Sequence, residues 1–153
     1  MAPNVGDLAP DFPIVHRHDA PTLHKLADRG PVVVYFYPTD NTPGCTREAQ
    51  DFRDLYSQFQ KLKTEVVGIS VQSMKSHDKF RAQHDLPFPL VSDELRSIAT
   101  HYGVLNEKGT AIRTTFLIAK GGKIARIWPG KVKVAGHAAE VLEAVKGLKG
   151  SPL

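Results

Sequence analysis

The sequence predicts an α/β fold, a central mixed β-sheet with helices on both faces. Three observations carry this. Short runs rich in Val, Ile and aromatic residues alternate with longer segments whose apolar residues recur at helical spacing. Two strand-like runs late in the chain flank Gly121-Gly122, a hairpin signal that puts antiparallel neighbours into the sheet. The chain has 153 residues, 41% of them hydrophobic, enough to bury a core as one domain over 1–153 without crosslinks.

The elements follow in order. Gly6 to Asp19 reads as an irregular N-terminal extension with short strands around Phe12 to Val15, and Thr22 to Arg29 as a short helix or turn. Pro31 to Tyr37 is a continuous apolar run, the mark of a buried central strand, and Pro38 with the polar residues after it ends that strand. A helix is expected over Pro43 to Lys61, with Phe52, Leu55, Phe59 and Leu62 on one face. Cys45 stands seven residues before Phe52, which puts it on that face, half-shielded. Glu65 to Val71 is a strand, Met74 to His84 a helix ended before Pro87, Phe88 to Ser92 a short strand, and Asp93 to His101 a helix with Gly103 beyond it. Ile112 to Ile118 and Lys123 to Trp128 form the hairpin, and His137 to Leu148 the closing helix.

Composition narrows the function classes. The net charge of +4 is spread over helices and turns without interleaved aromatics, so it reads as solvated surface and not as a nucleic-acid face. No apolar stretch is long enough to span a membrane, and the N-terminus lacks a signal-peptide profile, so a cytoplasmic location is expected. His16, His18 and His24 match no metal-binding spacing; no metal and no cofactor are expected.

The informative feature is Cys45, the single cysteine. Thr42 reads as a helix N-cap and Pro43 as the first helical residue, which makes Cys45 the third. There a negative charge meets unpaired backbone N–H groups and the positive end of the helix dipole, a setting that favours a nucleophilic thiolate. One thiolate without a nearby histidine or second cysteine cannot complete a zinc shell.

Pro38-x-x-x-Thr42-x-x-Cys45 resembles the active-site motif of the peroxiredoxins. The longer string Phe36-Tyr37-Pro38-x-Asp40-Asn41-Thr42-Pro43-Gly44-Cys45-Thr46-x-Glu48-Ala49 is similar to their peroxiredoxin Q branch, also called bacterioferritin comigratory protein. Asn4 to Phe12, Arg113 to Ile118 and Lys131 to Leu142 are similar to the same pattern. The resemblance implies a thioredoxin-like fold and a thiol peroxidase for hydrogen peroxide and organic hydroperoxides, acting through a sulfenic acid on Cys45. Thr42 would supply a hydroxyl, Gly44 room and, with Cys45, backbone N–H groups facing the peroxide; Pro38 would shield the sulfur. The resemblance makes Arg113 the fixed cation, although an arginine at a strand entrance on its own reads as solvated. Glu48, one turn from Cys45, could hold that arginine by a bidentate pair, or instead pair at the surface with Arg47 or Arg53.

The chain departs from the branch where a second, resolving cysteine is usual: those places hold Gln50 and the neighbourhood of Arg81. The expectation is a one-cysteine peroxidase re-reduced by an external thiol such as thioredoxin, glutaredoxin or glutathione, as a monomer, with a dimer as the alternative. Two other readings compete. A thioredoxin-type disulfide oxidoreductase lacks its Cys-x-x-Cys here, and a non-enzymatic holdase or binding module would be indifferent to Cys45.

Overall fold

The structure is a computed structural model and describes residues 2–14, 22–130 and 133–149. In chain order its elements are α1 (Leu23–Ala27), β1 (Val32–Phe36), α2 (Pro43–Lys61), β2 (Glu65–Ser70), α3 (Met74–Gln83), β3 (Leu90–Ser92), α4 (Ser97–His101), β4 (Thr114–Ile118), β5 (Ile124–Trp128) and α5 (His137–Lys149). The five strands form one sheet in the order β3-β2-β1-β4-β5. β1, β2 and β3 are parallel, β4 pairs antiparallel to β1, and β5 antiparallel to β4, so the sheet is mixed as the alternation and the hairpin predict.

The two faces follow from the period-2 pleat. Val33, Tyr35 and Tyr37 pack with Phe52, Phe59, Phe80, Leu117 and Val141 beneath α2, α3 and α5. Val32, Val34 and Phe36 pack with Phe12, Leu23, Ile69, Tyr102 and Phe116 beneath α1 and α4. All five β1 residues are buried, which is why the strand reads as an unbroken apolar run. Burying each valine contributes about 1.5–3 kcal/mol, so β1 is the anchor of the sheet.

Several boundaries differ from the pattern reading, each for a local reason. α4 begins at Ser97 and not at Asp93, because the Asp93 carboxylate accepts from the Ile98 and Ala99 N–H groups at 3.1 and 2.8 Å and so caps the helix from outside. β3 starts after Pro89, which has no N–H for the ladder. β4 starts at Thr114, since the Ile112 N–H turns away to Val104 O at 2.6 Å. On α2 the buried face is Cys45, Glu48, Ala49, Phe52, Tyr56 and Phe59, while Leu55 and Leu62 pack at its margin. In the extension a single bridge, Pro13 to Thr22, stands where short strands are expected around Phe12 to Val15, and another joins Leu8 to Lys123. Val15, His16 and His18 lie outside the described residues.

Candidate active site

The topology gathers one edge of the sheet. β1 and β2 both end there, and β4, antiparallel to β1, begins there with Phe36 opposite Thr114. The loop after β1, the turn after β2 and the residue before β4 therefore meet. Arg113 is that residue, and the pleat sends it to the same face as Thr115, Tyr35 and α2.

The loop ends as the sequence predicts. Thr42 is extended, with φ −88° and ψ 153°, and its Oγ1 accepts from the Cys45 N–H at 3.3 Å; Pro43 opens the helix. Cys45 is the third helical residue, but it is 1% exposed and so buried outright, where half-shielding is expected from its helical face. The reason is Arg113, which closes over it: Nη2 donates to Cys45 Sγ at 3.2 Å. The Cys45 N–H, expected to face a peroxide, is instead engaged by the Thr42 cap. Thr42 still keeps its own O–H as a donor.

Glu48 lies one turn along the buried face of α2 and is 1% exposed. Arg113 Nη1 donates to its Oε1 at 2.6 Å. The contact is single and not bidentate, because the guanidinium divides its two amino groups between Glu48 and the sulfur; Glu48 Oε2 is left buried without a partner. The surface alternative for Glu48 is excluded by the same geometry: Arg47 pairs with Asp51 at 3.2 Å, and Arg53 with Asp54 at 3.0 Å. Gly44 leaves room, although for the arginine: a Cβ there would stand 3.3 Å from Arg113 Nη2. Pro38 is half-buried at the start of the loop.

The electrostatics follow from one cation among buried acids. Burial pushes the Glu48 carboxyl up to about 7 against the pull of Arg113. Burial also works against the Arg113 charge, but Glu48 and then Cys45 outweigh it and raise the guanidinium above its ordinary value. The site therefore keeps a permanent positive charge 3.2 Å from the sulfur. A fixed, planar donor at that place can donate to the sulfur and still offer N–H groups to an oxygen that gains charge.

Four buried polar residues around this cluster carry no cue in the pattern reading. Tyr35 stacks on Phe52 at 4.8 Å, and its hydroxyl has no partner. Thr115 Oγ1 and His137 Nε2 share a hydrogen bond of 2.8 Å. Burial pushes His137 down to about 4, partly offset by Glu140 and reinforced by Arg113, so its ring is neutral at neutral pH. Asp40 is buried inside the loop. As local pattern an Asp-Asn pair reads as a turn and a histidine at a helix start as a cap; Asp40 also stands in the motif that carries the resemblance, which attaches no role to it. Among the described residues no group of three or more His, Cys, Asp or Glu could hold a metal, and His24 instead contacts Ala9 O at 2.6 Å. No helix among them is long and apolar enough to cross a membrane.

The AhpC/TSA family profile matches residues 5–127. The chain is 39% identical over 157 residues to peroxiredoxin Bcp of Bacillus subtilis, covering 97% of this chain and 98% of that one. A structure of Xanthomonas campestris bacterioferritin comigratory protein, solved in the study of its alkyl peroxide reduction, superposes with a TM-score of 0.76. It is 40% identical and covers 80% of this chain and 82% of its own. Peroxidoxin BcpB of Mycobacterium tuberculosis superposes with a TM-score of 0.85 at 32% identity, covering 94% of this chain and 97% of its own.

Proposed function

The chain belongs to the AhpC/TSA family and is a peroxiredoxin, a thiol-dependent peroxidase; on that footing we propose that Cys45 alone carries the cycle and that an outside thiol completes it. The observation that carries this reading is the contact of Arg113 with both the only cysteine sulfur and Glu48, at 3.2 and 2.6 Å.

The Cys45 thiolate attacks the terminal oxygen of a hydroperoxide; the S–O bond forms, the O–O bond breaks, and the leaving alkoxide or hydroxide takes a proton from solvent. Arg113 and the Thr42 O–H donate to the peroxide oxygens, so that charge leaving the sulfur is met as it develops. Pro38 shields the sulfur from water. Cys45 is then a sulfenic acid. A thiol attacks it, water leaves and a mixed disulfide forms; a second thiol releases Cys45 as thiolate and departs as the external disulfide.

One cysteine cannot form an intrachain disulfide. Gln50, where many relatives of this branch carry the resolving cysteine, instead approaches His84 Nδ1 at 3.5 Å, and Arg81 donates to Leu86 O at 3.2 Å. The external thiol is of the thioredoxin, glutaredoxin or glutathione kind, and the unit is a single cytoplasmic domain acting as a monomer. The test is peroxide removal with dithiothreitol as reductant. Turnover by the untreated protein that stops when Cys45 is alkylated is the expected result; turnover that survives alkylation contradicts the assignment.

A further inference from the structure

The loop that carries Thr42 and Cys45 is tied to α3 through a buried carboxylate that the cycle above does not use. The Asp40 side chain is 2% exposed. Its Oδ1 accepts from Tyr37 Oη–H at 2.7 Å and its Oδ2 from Ser76 Oγ–H at 2.6 Å, while its backbone N–H donates to Gln72 Oε1. His77 Nε2 stands 3.9 Å from Oδ2 and 2.6 Å from Ser70 Oγ. These groups come from the residue after β1, the end of β2, the turn after it and the first turns of α3. A buried carboxylate is tolerated only with its donors in place, and hydrogen bonds to a charged oxygen are stronger than neutral ones. The next residue, Asn41, sits at φ +64°, a left-handed turn conformation that asparagine takes more readily than most residues. Thr42 follows at once and caps α2 on Cys45.

We propose that Asp40 is a positioning residue for peroxide reduction: by joining the loop to Tyr37, Gln72 and Ser76 it keeps Thr42 and the Cys45 sulfur aligned with Arg113. This rests on the peroxidase reading and adds to it a set of groups that touch neither sulfur nor peroxide. Arg113 is held independently by Glu48, so loss of the Asp40 contacts moves the loop against a cation that stays in place. Peroxide reduction needs that alignment, since its donors must meet the reacting oxygens. Alkylation by iodoacetamide needs only a thiolate and access.

The test compares Asp40→Asn, Ser76→Ala and Ser76→Thr with the parent in single-turnover oxidation of Cys45 by hydrogen peroxide and in alkylation by iodoacetamide, beside thermal unfolding. Misplacement by about 1 Å can cost about 10²-fold, so Asp40→Asn and Ser76→Ala are expected to slow oxidation by about tenfold or more. Alkylation is expected to be no slower than in the parent, and Ser76→Thr, which keeps the hydroxyl, to restore the oxidation rate. A purely structural contact would lower the unfolding temperature without changing the ratio of the two rates. Ser76→Ala removes one donor and leaves the core intact, so it reports even if Asp40→Asn does not fold. Oxidation at the parental rate in folded Ser76→Ala, or oxidation and alkylation falling in proportion, overturns the inference while the peroxidase reading stands. A parent that peroxide does not oxidise overturns both.

Discussion

The two faces of the sheet bury different kinds of surface. Val32, Val34 and Phe36 leave β1 on the side of α1 and α4, where Phe36, Tyr102 and Phe116 pack ring on ring at 5.0–5.9 Å in a core that is almost wholly apolar. Val33, Tyr35 and Tyr37 leave it on the other side, where Cys45, Glu48, Asp40, Thr115, His77 and His137 are buried among the aromatics. One face supplies stability at little chemical risk. The other places charges and an unpartnered carboxylate oxygen and hydroxyl in a dry setting, a burden a fold carries only where the groups do something. Changes to Cys45 and Arg113 on the α2 face should therefore alter reactivity more than stability, and changes to the apolar core of the opposite face the reverse.

The largest effect that sharpens this contrast is expected from Cys45→Ser. It should abolish dithiothreitol-supported peroxide removal and leave thermal unfolding nearly unchanged, since the volume is conserved; retained turnover would place the nucleophile elsewhere. Arg113→Ala should come next. Removing one fixed donor from such a site costs about 10²–10³ in rate, and Arg113→Lys should recover only part of it, because a point charge cannot serve Glu48 and the sulfur together. Single-turnover oxidation, followed through Trp128 or by quench and mass analysis, measures both.

On the opposite face, Phe36→Ala should cost about 3–5 kcal/mol in denaturant unfolding while the folded fraction oxidises at the parental rate. A rate that falls with stability there would break the contrast. The smallest effect expected is a pH dependence. His137 is held neutral by burial, with its value pushed down to about 4 from an ordinary 6.5. The unfolded chain takes up a proton in that interval and the folded one does not. The stability His137 contributes is thus complete above about pH 6.5 and is lost as pH falls towards 4. Unfolding of His137→Gln across that range should lack this part of the slope; an unchanged slope would assign it to other groups.

Much of this arrangement was legible in the residues. The unbroken run of β1, the Thr42-Pro43 helix start and the spacing of Cys45 to Phe52 place the sulfur at a helix N-terminus on the buried face, and α2 runs from Pro43 to Lys61 as the pattern predicts. Arg113 entered through resemblance alone, since its approach depends on β4 pairing antiparallel to β1, a long-range register that no local pattern encodes. The depth of Cys45, the single-ended Glu48 contact and the service of Gly44 to Arg113 all come from where that one guanidinium sits. Asp40 stands in the motif that carries the resemblance, but its role, like that of His137, was hidden for the same reason. Ser76 and Thr115, which they bond, are 36 and 22 residues away, and a short polar residue in a turn looks the same whether its side chain meets water or a helix.

The most direct measurement is intact-mass analysis after one equivalent of hydrogen peroxide, without reductant and with a dimedone-type trap present. A monomer carrying one sulfenic adduct at Cys45, converted to sulfinic acid as peroxide is raised and to a mixed disulfide when glutathione replaces the trap, is the result predicted for a lone buried cysteine with no second cysteine to meet it. A quantitative disulfide-linked dimer, with no adduct at any time, would contradict it and show that a second copy of the chain resolves Cys45.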